Sequence, residues 1–450
     1  MKRFVCSLLC CGILFFSLHG IEKGTTDIQL SRQAAELGDV KAQFNLGECY
    51  EFGKGVKKNP AEAVKWYRKA AEQGDTSAQY RLGICYEIGK GVEKNPAEAT
   101  KWYRKAAENG DAKAQYCLYM CYTTGGGELR FEKNPAEAIK WLRKAVDQGY
   151  SVAQCRLGVL YQKGEGVEKD PAEAVKWFRK AAEQNLPLAQ FVLGMCYQDG
   201  EGGELNPAEA VKWFRRAAER GYIRAQRVLG VCYANGFGVE KNPAEAVKWY
   251  RKAAEQGDAW GQRVLGNCYK YGKGVEKNPA EAVKWYHKAA MKGDVIAQCD
   301  LAYCYEEGQG VEKNPAEAVQ WYRKAAERGY ARAQRILGGC YMRGFYFEKN
   351  PAEAIKWLRK AADHGDAVAQ QILGVCYRTG HGVEKNPTEA VKWYRKAAEQ
   401  GDANAQFYLG VCYEFGEGVK SDINEAKKWY HKAAAQGHEK ARAQLNLHGF

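Results

Sequence analysis

A tryptophan returns along this chain at a nearly constant interval. Successive copies lie 36 residues apart, with a single gap of 39. The set is Trp66, Trp102, Trp141, Trp177, Trp213, Trp249, Trp285, Trp321, Trp357, Trp393 and Trp429. A period of about 20 to 50 residues is typical of stacked supersecondary units that bury a shared core. The period therefore predicts a solenoid, although the length of 450 residues would also suit about three globular domains.

Each repeat predicts a pair of antiparallel helices joined by a tight turn. In the first complete repeat, Asn59 is a good N-cap, Pro60 suits the first helical position, and Glu62 is placed to close a capping box. Apolar residues then recur at helical spacing until Gly74, where a C-cap is expected. Asp75 caps the second helix of the pair.

A glycine stands in the middle of most second helices, as Gly83 does. Glycine inside a helix costs about 1 kcal/mol relative to alanine, so its recurrence calls for a packing reason. We expect it to admit a bulky side chain of a neighbouring helix, with the Trp66 type as the candidate. Tyr119 and Ala302 replace this glycine and predict locally altered packing.

The two ends of the array depart from the repeat. An N-terminal capping repeat is predicted over about residues 26–53, with Leu30 in the tryptophan position. C-terminal capping helices are predicted over about 423–448, where Ile423 replaces the usual proline. One solenoid is expected from 21 to 450, and the three extra residues fall in a loop at 123–133.

The first twenty residues resemble a secretory signal. Lys2 and Arg3 precede an uncharged run over 4–18, and Gly20 is small enough for a cleavage site. Residues 1–20 therefore predict a signal peptide and export to a periplasm or to the medium, with no stable membrane insertion after its removal. An uncleaved anchor, or a lipid anchor at Cys10 or Cys11, remains an alternative.

The unit A-E-A-V-K-W-Y-R-K-A-A-E-Q-G-D closely resembles the Sel-one-like repeat, a longer relative of the tetratricopeptide repeat. The resemblance covers about residues 27 to 448. It implies an all-α fold, a right-handed superhelical α/α solenoid of about twelve helix-turn-helix repeats with a 36-residue period. It also implies a scaffold that gathers partner proteins, as many exported bacterial members are expected to do.

Ten cysteines occupy one equivalent place in the second helices, beginning with Cys49. Packed helices lie about 8–10 Å apart, whereas disulfide-bonded Cα atoms lie within about 6.8 Å, so this ladder predicts buried thiols. Cys117, Cys155 and Cys299 lie outside the ladder. One branch of the resembled family has cysteine pairs in each repeat and is linked to penicillin binding. This chain lacks those pairs, and a weak hydrolase therefore stays an alternative.

Sites for catalysis, metals and nucleic acids have little support in the sequence. The chain has no C-x-x-C, H-E-x-x-H or G-x-S-x-G motif, and its histidines are scattered. We therefore predict no catalytic, cofactor or metal site. A formal net charge of +14 over the whole chain is modest, and no base-reading motif is present, so nucleic acid is not an expected partner. Pairs such as Arg68 and Glu72 are expected to form a solvated, salt-bridged surface.

Partner binding is the function class that remains. Lys65, Lys69 and their equivalents form a basic ladder on the first helices, which is broken at Gln320. In tetratricopeptide-like arrays the first helices line the concave side, so this ladder is expected to meet acidic peptide segments or anionic polymers. A merely solvated face balanced by glutamate is the alternative. The candidate ladder residues are Lys65, Lys69, Lys101, Lys105, Lys140 and Lys144.

Two departures from the repeat add aromatic candidates. Trp260 is the one tryptophan outside the ladder, and Phe345, Tyr346 and Phe347 replace turn residues that are usually Gly or Val. Exposed aromatic side chains favour interfaces, although rings that fill an irregular gap are equally consistent. We therefore expect an exported, monomeric scaffold for proteins. An envelope-polymer or carbohydrate binder is the first alternative.

Overall fold

In the computed structural model of this chain, helices account for every regular element of the described residues. The structure describes residues 24–124, 133–203, 205–345, 348–447 and 449, and within them it leaves out the side chains of 24–28 and 30. The predicted signal peptide at 1–20, most of the loop at 123–133, and Tyr346 and Phe347 lie outside them. The all-helical architecture with its 36-residue period is confirmed.

Over those residues the chain forms α1 to α24, in twelve consecutive pairs. The bounds are α1 Gly24–Glu36, α2 Val40–Phe52, α3 Pro60–Glu72, α4 Thr76–Ile88, α5 Pro96–Glu108, α6 Ala112–Thr124, α7 Pro135–Asp147, α8 Ser151–Lys163, α9 Pro171–Glu183, α10 Pro187–Asp199, α11 Pro207–Glu219, α12 Ile223–Asn235, α13 Pro243–Glu255, α14 Ala259–Tyr271, α15 Pro279–Met291, α16 Val295–Glu307, α17 Pro315–Glu327, α18 Ala331–Arg343, α19 Pro351–Asp363, α20 Ala367–Thr379, α21 Pro387–Glu399, α22 Ala403–Phe415, α23 Ile423–Ala435 and α24 Glu439–Leu447.

The helices group into two compact units. One unit extends to Asn206 and contains α1 to α10, and the other begins at Pro207 and contains α11 to α24. Within each unit every helix packs against the next one in the chain, as a solenoid requires. None of the described helices is long and apolar enough to span a bilayer.

Local sequence determines where the helices begin and end. The Asn59 side chain accepts a hydrogen bond from the backbone N–H of Glu62 at 3.2 Å, and Asp75 accepts from that of Ala78 at 2.6 Å. Gly74 adopts a φ of 95°, a left-handed conformation that glycine takes at little cost. The predicted N-caps are therefore confirmed in α3 and α4, whereas the C-cap of α3 is Gln73 and Gly74 is the left-handed residue that follows it.

The predicted capping box, however, is wrong. The backbone N–H of Asn59 donates to the carbonyl of Tyr50 at 2.9 Å, at the end of the preceding second helix. Because that donor is already bonded, the Glu62 carboxylate is available to another group and binds Lys65 at 2.9 Å. Glu62 therefore forms an ion pair on the surface of α3, and the side chain of Asn59 caps the N-terminus of this helix.

The mid-helix glycine meets a tyrosine, and the expectation of a tryptophan neighbour was wrong. A Cβ atom on Gly83 would lie 2.5 Å from the ring of Tyr103, which belongs to the next first helix. At the exception Tyr119, the residue equivalent to Tyr103 is Leu142, and both side chains are fully buried. A large residue on one helix is therefore accompanied by a smaller one on its neighbour, which keeps the interior filled.

Buried glutamines connect successive pairs. Gln79 in α4 donates to the carbonyl of Ala71 at 3.1 Å and accepts from Asn109, at the end of α5, at 3.1 Å. The same acceptor bond recurs at Gln43, Gln115, Gln154, Gln226, Gln370 and Gln406. Donor bonds to the preceding helix are also made by Gln43, Gln79, Gln115, Gln226, Gln370 and Gln406. Each of these six therefore ties three consecutive helices together and satisfies groups that are costly to bury unpaired.

Thirteen cysteines lie among the described residues. Ten of them are buried free thiols, while Cys49, Cys117 and Cys121 are half-buried. Burial raises the pKa of Cys85 to about 12 and that of Cys232 to about 11, so these thiols stay protonated at neutral pH. They pack as small apolar side chains.

Candidate partner-binding surface on the first helices

The lysines of the Lys65 type form ion pairs within their own helix. Lys65 lies 2.9 Å from the carboxylate of Glu62, and its side chain remains 69% exposed. Equivalent pairs form at Lys101, Lys140, Lys176, Lys212, Lys248, Lys284, Lys356, Lys392 and Lys428. Exposed pairs of this kind contribute about 0–1 kcal/mol, so they hold these lysines only weakly.

The lysines of the Lys69 type lie over the repeated tryptophans. The Nζ atom of Lys69 is 4.1 Å from the centroid of the Trp66 ring, within the range of a cation–π interaction. The same contact occurs at Lys105, Lys144, Lys180, Lys252, Lys288, Lys324, Lys360, Lys396 and Lys432, and at Arg216. A ring positions the ammonium group and leaves its positive charge in place.

The arginines of the Arg68 type bind tyrosines of the second helices. Arg68 donates to the hydroxyl of Tyr86, and its guanidinium lies 5.7 Å from that ring. The expected surface pair between Arg68 and Glu72 is therefore replaced by a contact that joins the two helices of one repeat. Arg68 itself remains exposed.

The repeated tryptophans carry buried N–H groups without acceptors. Trp66 is only 6% exposed, and its Nε1 atom has no hydrogen-bond partner among the described residues. The same holds for Trp102, Trp141, Trp177, Trp213, Trp249, Trp285, Trp393 and Trp429. Trp321 differs, because its Nε1 donates to Glu317 at 2.9 Å in the repeat where Gln320 replaces the lysine.

Trp260 packs among its neighbours. Its ring is half-buried, contacts Tyr250 edge-on at 5.8 Å between centroids, and lies 4.6 Å from the guanidinium carbon of Arg227. Arg227 also lies 3.7 Å from Asp258, which is the N-cap of α14, the helix that carries Trp260. These contacts favour the gap-filling interpretation of Trp260 over that of a free interface anchor.

Phe345 is the described member of the aromatic turn, and its side chain is 55% exposed. Phe237 occupies the equivalent place in another turn and is 38% exposed. The sequence reasoning missed Phe237, although its position between Gly236 and Gly238 matches that of the other turn residues. The two phenylalanines lie on the turns after the second helices.

A cavity of about 370 Å³ lies beside α21. Its lining includes Thr388, Glu389, Lys392, Trp393 and Lys396, so the recurring Glu, Lys, Trp and Lys positions all border one space. Thr388 stands where every other repeat that begins with Asn-Pro or Asp-Pro has alanine. The sequence reasoning missed this site, and the change from N-P-A-E-A to N-P-T-E-A is the signal that could have found it.

The recurring Asn-Pro cap, tryptophan and mid-helix glycine match the sequence profile of the Sel1 repeat. The profile matches eleven times, at 40–75, 76–111, 112–150, 151–186, 187–222, 223–258, 261–294, 295–330, 331–366, 367–402 and 403–438. The chain belongs to the Sel1 repeat family. Sel1 repeat solenoids are typical folds for protein–protein interaction. A comparison with the curated proteins found no match.

Two solved structures support the same assignment for this Sel1 repeat protein. One is c5321, described as a protective antigen present in uropathogenic Escherichia coli strains, with 37% sequence identity and a TM-score of 0.70. The similarity covers 93% of this chain and 91% of that one. The other is a Sel1 repeat protein from Oxalobacter formigenes, at 32% identity and a TM-score of 0.60, covering 73% of this chain and 92% of that one.

Proposed function

We propose that this protein is an exported, monomeric scaffold that binds acidic segments of partner proteins along its first helices. The observation that carries the proposal is the row of ammonium groups held about 4 Å above the tryptophan rings, as Lys69 is above Trp66. A carboxylate bridge would cancel such a charge, whereas a ring orients it and leaves it able to attract an anion.

The repetition of the site favours an extended partner. Eleven first helices, from α3 to α23, each offer one cation over a ring, and all of them except α17 add an exposed lysine of the Lys65 type. The pattern returns every 36 residues, with one gap of 39. A single exposed contact is weak, but once one contact forms, the effective concentration for the next contact rises sharply. Multivalent docking is therefore the mechanism that we assign to the repeats.

Export rests on the first twenty residues, with their basic start and uncharged run. The relative c5321 is a protective antigen, which accords with a protein that leaves the cytosol. Sel1 repeat solenoids are generally non-catalytic scaffolds, and we assign no reaction to this chain.

The test is chemical crosslinking in the producing cell, followed by purification of the full chain and mass spectrometry of its partners. We expect defined proteins with acidic segments that bind the purified chain again. Strong binding of an anionic polysaccharide without any protein partner would contradict the proposal. Hydrolysis of a β-lactam that is lost by one point substitution in a folded variant would also contradict it.

A further inference from the structure

The cavity beside α21 combines positive charge with groups that donate hydrogen bonds. Lys392, Arg395 and Lys396 line it together with Glu389 and Glu399, so the cations outnumber the carboxylates. The side chain of Thr388 is exposed at the same place and adds a hydroxyl. A carboxylate is the complement of ammonium and hydroxyl donors.

The second observation concerns the buried indole of Trp393. The side chain is 6% exposed, lines the cavity, and its Nε1 has no acceptor in the described residues. The acceptor one turn earlier on α21 is Glu389, and it is bound to Lys392 at 3.0 Å. The lysine therefore holds the carboxylate that lies four residues before the indole.

The repeat with Gln320 shows the outcome when the lysine is missing. There the equivalent carboxylate, Glu317, accepts the indole N–H of Trp321 at 2.9 Å. In the repeats that keep the lysine, the carboxylate pairs with its ammonium group, as Glu389 does with Lys392; in this repeat no ammonium group holds the carboxylate outward, and it accepts from the indole. The chain thus contains both arrangements of the same three positions.

We propose that the cavity beside α21 binds a carboxylate of an acidic peptide segment, and that binding is relayed from Lys392 through Glu389 to the indole of Trp393. The ligand carboxylate takes the ammonium of Lys392, and Thr388 adds a hydrogen bond. Glu389 then accepts from Trp393, as Glu317 does from Trp321. The identity of the ligand rests on the proposed function, while the rearrangement within α21 does not.

The relay is tested first without any ligand, from the indole N–H signals of the full chain labelled with ¹⁵N-tryptophan. The signal of Trp393, assigned by its loss in Trp393→Phe, moves downfield in Lys392→Gln toward that of Trp321. In Gln320→Lys the signal of Trp321 moves in the opposite direction. The control Lys385→Gln removes an exposed lysine just before α21 and leaves Trp393 unmoved. An unchanged Trp393 signal in Lys392→Gln overturns the relay.

The ligand is tested by titration with hexaglutamate, with hexaglutamine as the neutral control. Hexaglutamate moves the Trp393 signal in the same direction as Lys392→Gln does, and Lys392→Gln weakens its binding about threefold to fivefold. Thr388→Ala weakens binding while leaving the free protein's indole signals unchanged. Hexaglutamate binding that leaves Trp393 unmoved, or movement with a sulfated polysaccharide alone, overturns this site. Recovery of acidic partners by crosslinking would in that case leave the scaffold proposal standing.

Discussion

At the scale of single residues, close packing between neighbouring helices decides which positions tolerate a side chain. α18 contains two adjacent glycines with opposite surroundings. A Cβ atom on Gly338 would lie 2.8 Å from the Cγ atom of Leu358, whereas one on Gly339 would meet no atom within 4 Å. The two positions share one helix and nearly the same helical propensity, so they separate packing from backbone effects.

We expect Gly338→Ala to destabilise the protein by about 1–3 kcal/mol, because the methyl group overfills the contact with Leu358. Gly339→Ala is the matched control and should be neutral or stabilising by up to about 1 kcal/mol, since alanine favours the helix. The rate of hydrogen exchange of the α18 amides measures the stability change in both variants. Equal effects of the two substitutions would contradict the packing explanation.

Glu51 is a buried carboxylate with several partners. It is 6% exposed and accepts from the hydroxyl of Tyr67 at 2.6 Å and from Lys90 at 2.7 Å, with Arg81 at 4.0 Å. Burial opposes its ionisation, but the hydrogen bonds from Lys90 and Tyr67 and the charge of Arg81 outweigh burial, so the pKa of Glu51 lies below its ordinary value.

Because the folded-state pKa is lowered, the unfolded chain binds the proton more readily, and ionised Glu51 stabilises the fold above about pH 4.3. This stabilisation is lost as the pH falls from there through the lower folded-state pKa. Glu51→Gln should lower stability at pH 7 by about 1–3 kcal/mol and flatten the pH dependence of melting. Exposed Glu72 gives the control Glu72→Gln, which should leave the stability at pH 7 nearly unchanged.

At the scale of the helices, local signals were predictable and contacts between repeats were not. Asn59 and Asp75 cap helices through atoms only three residues away, so the sequence alone identifies them. The partner of Gly83 lies on the next first helix, and choosing Tyr103 over a tryptophan required the relative rotation of the two helices.

The candidate surface shows the same division. The Lys65 and Lys69 types were recognised from their periodicity, but their different partners, a carboxylate and an indole ring, depend on side-chain directions along the helix. The ion pair that holds Glu389 at Lys392 was likewise invisible in the sequence. Thr388 was visible there as a single departure, but nothing local connected it with a cavity.

A few buried glutamines among the described residues lack the hydrogen bond that connects the others to the end of the next first helix, and this difference gives a prediction about stability. Gln262 in α14 is buried, and its Oε1 atom has no hydrogen-bond partner within the part of the chain that the structure describes, because Lys292 stands at the end of α15 and donates to the carbonyl of Gly257 at 2.7 Å. Lys292→Gln should restore the bond found at Gln226, where Gln256 donates at 2.8 Å. The amide introduced at position 292 would donate a hydrogen bond to the buried Oε1 atom of Gln262.

The expected gain in stability is about 0.5–1.5 kcal/mol, measured as slower hydrogen exchange in α14 and α15. Gln256→Lys provides the converse control and should destabilise the neighbourhood of Gln226 by a similar amount. Faster exchange around Gln262 in Lys292→Gln would contradict the role assigned to these glutamines.

At the scale of the whole molecule, repetition allows many weak contacts to add up to appreciable affinity for one partner. A solenoid contacts only its neighbours in sequence, so each repeat can keep the same caps and core while the exposed positions remain free for partners. The ion pairs of the Lys65 type show that part of the basic ladder is balanced within the fold. The proposed function therefore requires an anion that competes successfully with those internal carboxylates.

The most direct test of that claim is the affinity of the full chain for its crosslinked acidic partner after charge reversal on three first helices. The triple variant Lys65→Glu, Lys101→Glu and Lys140→Glu should keep its helical content and bind at least tenfold more weakly, because three attractive contacts become repulsive. The charge-matched control carries Lys41→Glu, Lys113→Glu and Lys163→Glu on exposed positions of second helices and should bind nearly as well as the unaltered chain. Equal affinities for the two triple variants would contradict recognition by the first helices.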